Sequence, residues 1–127
     1  MSIANPELIV KRIRKLFPKS ITKKLPKMIA VISLSVQKSR ELNRIYRKKN
    51  KSANVLSFRY DSQYGEILVC AQIIRREART RGNLYARQMT WMVAHGMLHL
   101  AGLHHEEYKS VAKRVEKLEQ QILGTLF

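Results

Sequence analysis

Residues 84–101, LYARQMTWMVAHGMLHLA, are apolar almost all round when wound as a helix. Such a helix has no face to offer water, so it belongs in the middle of a domain with other elements packed around it. Two histidines, His95 and His99, lie within it, where polar groups need partners. Four residues apart, they project from one helical face, one turn from each other. That is the spacing at which two imidazoles hold one metal ion. Gly102 ends the helix, because glycine accepts the left-handed conformation that turns the chain back. Three residues further on, His105 can then swing in as a third ligand. With His104, these are all the histidines of the chain.

A lone histidine on such a helix reads as a hydrogen-bonded core residue. Three at this spacing, around a helix-ending glycine, read as metal ligands. Three neutral nitrogens and no thiolate leave a fourth position open, the arrangement of catalytic rather than structural sites. Zinc, one per chain, is the expected ion; imidazoles also suit nickel, copper and cobalt. Set against the zinc-peptidase pattern H-E-x-x-H-x-x-G-x-x-H, the stretch matches at all three histidines and the glycine but carries Gly96 in place of the glutamate. That glutamate is the general base of such peptidases, and glycine takes no proton. Peptide hydrolysis is demoted accordingly.

The rest of the chain supplies layers for the central helix. Residues 7–17 read as an amphipathic helix ended by Pro18. Residues 29–36, IAVISLSV, read as a strand, with Ile32, Leu34 and Val36 alternating against Ser33 and Ser35. A helix is expected over 39–48, with Ser39 as a possible N-cap and Leu42, Ile45 and Tyr46 on one face. ANVLSFRY reads as a second strand, Leu56, Phe58 and Tyr60 pointing one way and Ser57 and Arg59 the other. A turn at Gly65 leads to EILVC, the third strand, and then an Arg-rich helix over 71–81 that Gly82 closes. The last helix, 106–123, carries Val111, Val115, Leu118 and Ile122 on one stripe. This order argues an α+β or α/β domain, a small sheet covered by helices.

At 127 residues, 45% of them hydrophobic, the chain has the length and composition of one domain with a real core. Its longest apolar run, MIAVISLSV, is too short to span a bilayer, and no cleavable leader is recognisable. The single Cys70 fits a reducing compartment, and the cytoplasm is expected. The net charge is +16, unevenly spread. Residues 1–51 hold 15 Lys or Arg against Glu7 and Glu41; residues 52–127 hold ten against seven acids. Such a basic half concentrates polyanions, and because its charges interleave with apolar residues it reads as a folded RNA-facing surface. A basic helix resting on a membrane is the alternative for 7–17.

HGMLHLAGLHH closely resembles the H-G-x-L-H-L-x-G-[Y]-D-H signature of the YbeY-type family of bacterial metal-dependent endoribonucleases that mature ribosomal RNA. ELNRIYRKKNKSANVLSFRY and GEILVC resemble the family's upstream blocks, so the likeness runs over residues 41–106. It implies an α+β fold, a mixed sheet of about four strands with helices around a metal cleft. It further implies His95, His99 and His105 as zinc ligands and Arg47 as an active-site arginine. The family's aspartate before the third ligand is His104 here, and its threonine before NV is Ala53.

Zinc held by three neutral ligands keeps its full charge, which suits a phosphodiester. Arg47, planar and permanently charged, suits the non-bridging oxygens, though RKKNK alone reads as plain surface charge. Tyr46, Phe58, Tyr60 and Tyr64 are either core residues or platforms for unpaired bases, with core packing favoured for Tyr46 and Phe58. Glu66 is either a proton-handling carboxylate near the metal or a residue that merely starts a strand. The expected function is a zinc-dependent endoribonuclease acting on single-stranded or ribosomal RNA, with RNA and the ribosome as partners and no membrane. The alternatives are a non-catalytic zinc-stabilised RNA- or ribosome-binding protein, or a zinc hydrolase of another substrate.

Overall fold

The structure, a computed structural model, describes residues 5–104 and 108–127. Its elements run α1 (Pro6–Leu16), α2 (Lys19–Thr22), β1 (Met28–Ser33), α3 (Val36–Arg47), β2 (Val55–Arg59), β3 (Tyr64–Val69), α4 (Ala71–Arg81), α5 (Tyr85–Leu100) and α6 (Lys109–Leu126). The sheet order is β1-β3-β2, with β1 parallel and β2 antiparallel to β3. The fold is therefore α+β with a mixed sheet, of three strands among the described residues rather than about four. The described chain ahead of β1 is helical and contributes no strand.

Helix α1 starts where Asn5 accepts hydrogen bonds from the backbone N–H groups of Glu7 and Leu8, with Pro6 as its first residue. Val10 and Ile13 of this helix, and Phe17 just after it, are buried in the core. This face is thus spent inside the protein and is not offered to a bilayer. Among the described residues no helix is long and apolar enough to cross a membrane.

Two sequence expectations shift by a few residues. The strand over 29–36 stops at Ser33, and Ser35 caps the next helix by accepting from the Lys38 N–H at 3.1 Å. Ile32 is consequently exposed, not part of a long alternating core face. Ser39 lies inside α3, where its hydroxyl donates to the Ala53 carbonyl and accepts from the Ala53 N–H. Asn43, one turn on, donates to the Lys51 carbonyl at 2.8 Å. These bonds lash the α3–β2 connection to α3 and fix the C-terminal end of that helix against β2.

Helix α5 is the centre. It contacts α1, α4 and α6 as well as β2 and β3, and its residues from Ala86 to Leu100 are mostly buried. Burying side chains such as Met97, Leu98 and Val93, each 0% exposed, contributes roughly 1.5–3 kcal/mol apiece. Helix and sheet approach most closely at Gly96, where the Ser57 hydroxyl donates to the glycine carbonyl at 3.2 Å. A Cβ there would lie 2.9 Å from Ile67 Cγ2 and 2.9 Å from Ser57 Oγ. Any side chain there would force Ile67 or Ser57 to shift. The helix ends with a paired C-terminal motif: Gly102 at φ +89° donates to the His99 carbonyl, and Leu103 donates to the Leu98 carbonyl.

Helix propensity alone favours alanine over glycine by about 1 kcal/mol, whereas overpacking a close contact costs roughly 1–3. Gly96→Ala is therefore expected to lower the unfolding free energy by roughly 1 kcal/mol, read from its urea midpoint. A variant more stable than the parent would contradict this account of the helix–sheet contact.

Candidate functional site

His95 and His99 occupy successive turns of α5, one residue either side of the Gly96–Met97–Leu98 segment that seats the helix on the core. Both are half-buried, and their ring centroids are 4.6 Å apart. They face a cavity of about 510 Å³ whose other walls are β2 and the end of α3. Arg47, the last residue of α3, lines the same cavity beside Tyr46. Three distant stretches of sequence thus meet in one cleft: 46–47, 54–58 and 95–99. His104 is exposed, its ring 5.6 Å from that of His99. His105, the expected third ligand, lies outside the described residues.

Glu119 of α6 gives the first imidazole its orientation. Its Oε2 lies 2.6 Å from His95 Nδ1, and its Oε1 accepts the Trp91 indole N–H at 3.1 Å. A carboxylate can only accept, so Nδ1 carries the proton and the lone pair of His95 resides on Nε2. This is the carboxylate–imidazole pairing that fixes the tautomer of metal-binding histidines. Glu119 is only 6% exposed, and hydrogen bonds to a charged group, about 1.5–3 kcal/mol each, offset its desolvation. Sequence reasoning did not single out Glu119. The signal was present: it is an acid on the apolar stripe of the last helix, between Val115 and Ile122.

A second polar arrangement borders the cleft. Asn54 donates to the Glu77 carboxylate of α4 at 3.0 Å and to the sulfur of Met92. Glu77 does not line the histidine cavity itself but a neighbouring one, which also reaches His95 and Glu119. Glu66 is elsewhere. Its neighbour Ile67 faces Gly96, so Glu66 points to the opposite face of the sheet. There it accepts from the hydroxyls of Tyr60 and Tyr64 at 2.7 and 2.8 Å. This sets it apart from the histidine pair. Tyr46 is 63% exposed and so not a core residue; Phe58 is half-buried and packs edge-on against it.

Two groups of exposed bases in the N-terminal half stand toward opposite edges of the sheet. Lys11, Arg12 and Lys15 are exposed on α1, which packs on β1 and α5, across the sheet from β2. Arg14 is not available to a polyanion in the same way, because its guanidinium donates to the Pro26 carbonyl and partial burial lowers its pKa. Arg44, Arg47, Lys48 and Lys49 are exposed at the cleft end of α3.

Replacing Glu119 by Gln tests the orienting role. Trp91 can only donate, so the amide oxygen must face it and the amide N–H₂ must face His95 Nδ1. The imidazole is then expected to switch tautomer, moving its proton to Nε2, as read by ¹⁵N NMR of the ring. A proton that stays on Nδ1 would show that Glu119 does not set the orientation.

The family model described as endoribonuclease YbeY matches residues 2–126. Relatives named endoribonuclease YbeY include that of Thermodesulfovibrio yellowstonii, 36% identical over 106 residues, which covers 78% of this chain and 67% of the relative. That of Aromatoleum aromaticum is 39% identical over 90 residues, covering 68% and 58%. That of Polynucleobacter asymbioticus is 31% identical over 128 residues, covering 98% and 78%. The chain thus spans between 58% and 78% of the length of these relatives. Among solved structures it is similar to the solution structure of TM1509 from Thermotoga maritima, with a TM-score of 0.62 and 25% identity over 97% of this chain and 87% of that one. From the start of α1 to the end of α6, with His95, His99 and Arg47 inside the matched span, this chain belongs to the endoribonuclease YbeY family.

Proposed function

We propose that this chain is a metal-dependent endoribonuclease that cuts single-stranded RNA during the maturation of ribosomal RNA, with residues 1–127 acting as one hydrolase domain. The observation that carries the reading is the shared cavity: a histidine pair one helical turn apart and a permanently charged arginine line the same cleft. The proposed partners are RNA and the ribosome, and the proposed place of action is the cytoplasm.

Among the described residues no group of three His, Cys, Asp or Glu side chains is placed to hold a metal ion, but the pair His95 and His99 supports a site that His105, outside the described residues, would complete. His95 keeps its lone pair on Nε2 because Glu119 occupies Nδ1, and His99 lies beside it at ligand spacing. His95, His99 and His105 are the proposed ligands, with zinc the proposed ion. Zinc bound by three neutral imidazoles supplies a water activated near neutral pH and a Lewis acid for a phosphoryl oxygen.

The rest of the work falls to the chain. Arg47 presents a planar fork that matches two non-bridging phosphate oxygens and strengthens as charge develops on them. The α3–β2 lashing through Ser39 and Asn43 holds the helix end that carries Arg47. Gly96 leaves no place for the carboxylate that peptidases use, which favours a phosphodiester over an amide. The bases at the end of α3 add charge that draws a polyanion to this edge of the molecule.

The test is cleavage of single-stranded RNA by the purified protein, with and without a chelator. Activity should vanish on chelation and return with added zinc. Arg47→Ala should slow cleavage by ~10²–10³, the usual cost of losing a transition-state donor. Arg47→Lys, which keeps charge but loses the fork, should fall between. Metal content and thermal stability should stay close to parental, since one exposed arginine contributes little to folding. Cleavage by Arg47→Ala at the parental rate would make Arg47 an ordinary surface charge. A parent that binds RNA and never cuts it would make the protein a binding module.

A further inference from the structure

The face of the sheet turned away from α5 is not fully covered. Leu56 and Leu68 are buried there beneath α3, but beyond them the surface opens into a groove of about 200 Å³. Leu42, Tyr46, Phe58, Tyr60, Glu66 and Leu68 line it. Tyr46 and Tyr60 are 63% and 62% exposed, unusual for aromatic rings that share one groove. Neither ring is loose. Tyr46 meets Phe58 edge-on at 5.1 Å, and the Tyr60 and Tyr64 hydroxyls both donate to Glu66, with their rings 5.6 Å apart. The hydrogen bond to Glu66 also raises the pKa of both phenols, so the rings stay neutral. Rings ordered in advance lose little entropy when something stacks on them.

This shelf is continuous with the histidine cleft. Tyr46 and Phe58 form a wall of both. Charge divides the two compartments: the cleft is bordered by Arg47, whereas among the described residues the only charged side chain lining the groove is the Glu66 carboxylate. A phosphate backbone is drawn to the first and repelled by the second. What suits the groove is a flat, uncharged π-system attached to that backbone.

We propose that the groove is a nucleobase subsite, in which unpaired bases of an RNA strand whose phosphates lie in the cleft stack on Tyr46 and Tyr60. The proposal rests on RNA as the occupant of the cleft and adds how the strand is held beside it. Stacking of this kind is tolerant of sequence, because every base offers a π-face, and it excludes a duplex, whose bases are already stacked. Single-strand preference then follows from the shelf, not from the metal. Phe58 and Tyr64, half-buried, act as supports for the two exposed rings.

The test compares a short oligouridylate with the matching ribose-phosphate oligomer that lacks bases, each binding to the full chain. The parent should bind the base-bearing oligomer more tightly. Tyr46→Leu and Tyr60→Leu should each weaken that binding by about tenfold, the size of one base–aromatic stack, and leave affinity for the abasic oligomer unchanged. Both side chains are largely exposed, so the variants should fold; urea midpoints check this. Equal losses on the two oligomers, or no loss on either, would overturn the subsite. Cleavage measured in parallel separates the two readings. A parent that binds bases through Tyr60 yet never cuts contradicts the nuclease and leaves the subsite standing. A parent that cuts while both variants bind both oligomers normally removes the subsite alone.

Discussion

The contact between Gly96 and the sheet governs the geometry of everything near the cleft. Because residue 96 has no side chain, α5 settles onto Ile67 and Ser57 at a distance that excludes even a methyl group. His95 on the preceding position and His99 one turn on are thereby brought to the edge where β2 ends the sheet. A bulkier residue would lift the helix and carry both imidazoles away from Arg47. The same close fit removes the peptidase carboxylate for a steric reason, beyond the absence of a titratable group. Specificity against amide chemistry and the closeness of the packing share one cause.

Around that contact, polar groups are placed where burial forces them to be ordered. Glu119 is a buried carboxylate among apolar neighbours, costly unless its oxygens are both used, and both are. Its two donors, Trp91 and His95, belong to α5, so the final helix is locked to the central one through the imidazole that lines the cleft. Ser39 and Asn43 do comparable work for α3 through the connection to β2. Packing energy from the apolar helix thus supports a small set of polar groups whose orientations are not negotiable. The basic residues are less constrained: those on α1 and those at the end of α3 stand at opposite edges of the sheet.

Much of this was legible in the sequence because it depends on periodicity. An apolar 84–101 segment can be satisfied only as a central helix, and a four-residue spacing can put His95 and His99 only on one face. Gly102 at φ +89° ends the helix as its residue type requires. What the sequence did not reveal depends on contacts between distant elements. Ser39 reads as a cap because serine often is one, but a bond to Ala53, across a loop, claims it inside α3. Tyr46 lies on the helix face with Leu42, yet it stays exposed and meets Phe58 of β2 edge-on. Glu66 reads as either a site residue or a strand start; only the pairing register shows that it points away from the histidines. Glu119 is the instructive omission, since an acid on an apolar stripe is a legible anomaly whose partner is invisible in one dimension. The missing fourth strand has a plain cause: residues 6–16 carry helical periodicity and a capped start, and they fold as they read.

We propose that His95, His99 and His105, and not His104, together hold one metal ion. Metal content of the purified protein and its four single His→Ala variants tests this directly. One zinc per chain is expected for the parent and for His104→Ala, with sharp loss for His95→Ala, His99→Ala and His105→Ala. Loss of metal from His104→Ala together with its retention in His105→Ala would contradict the assignment.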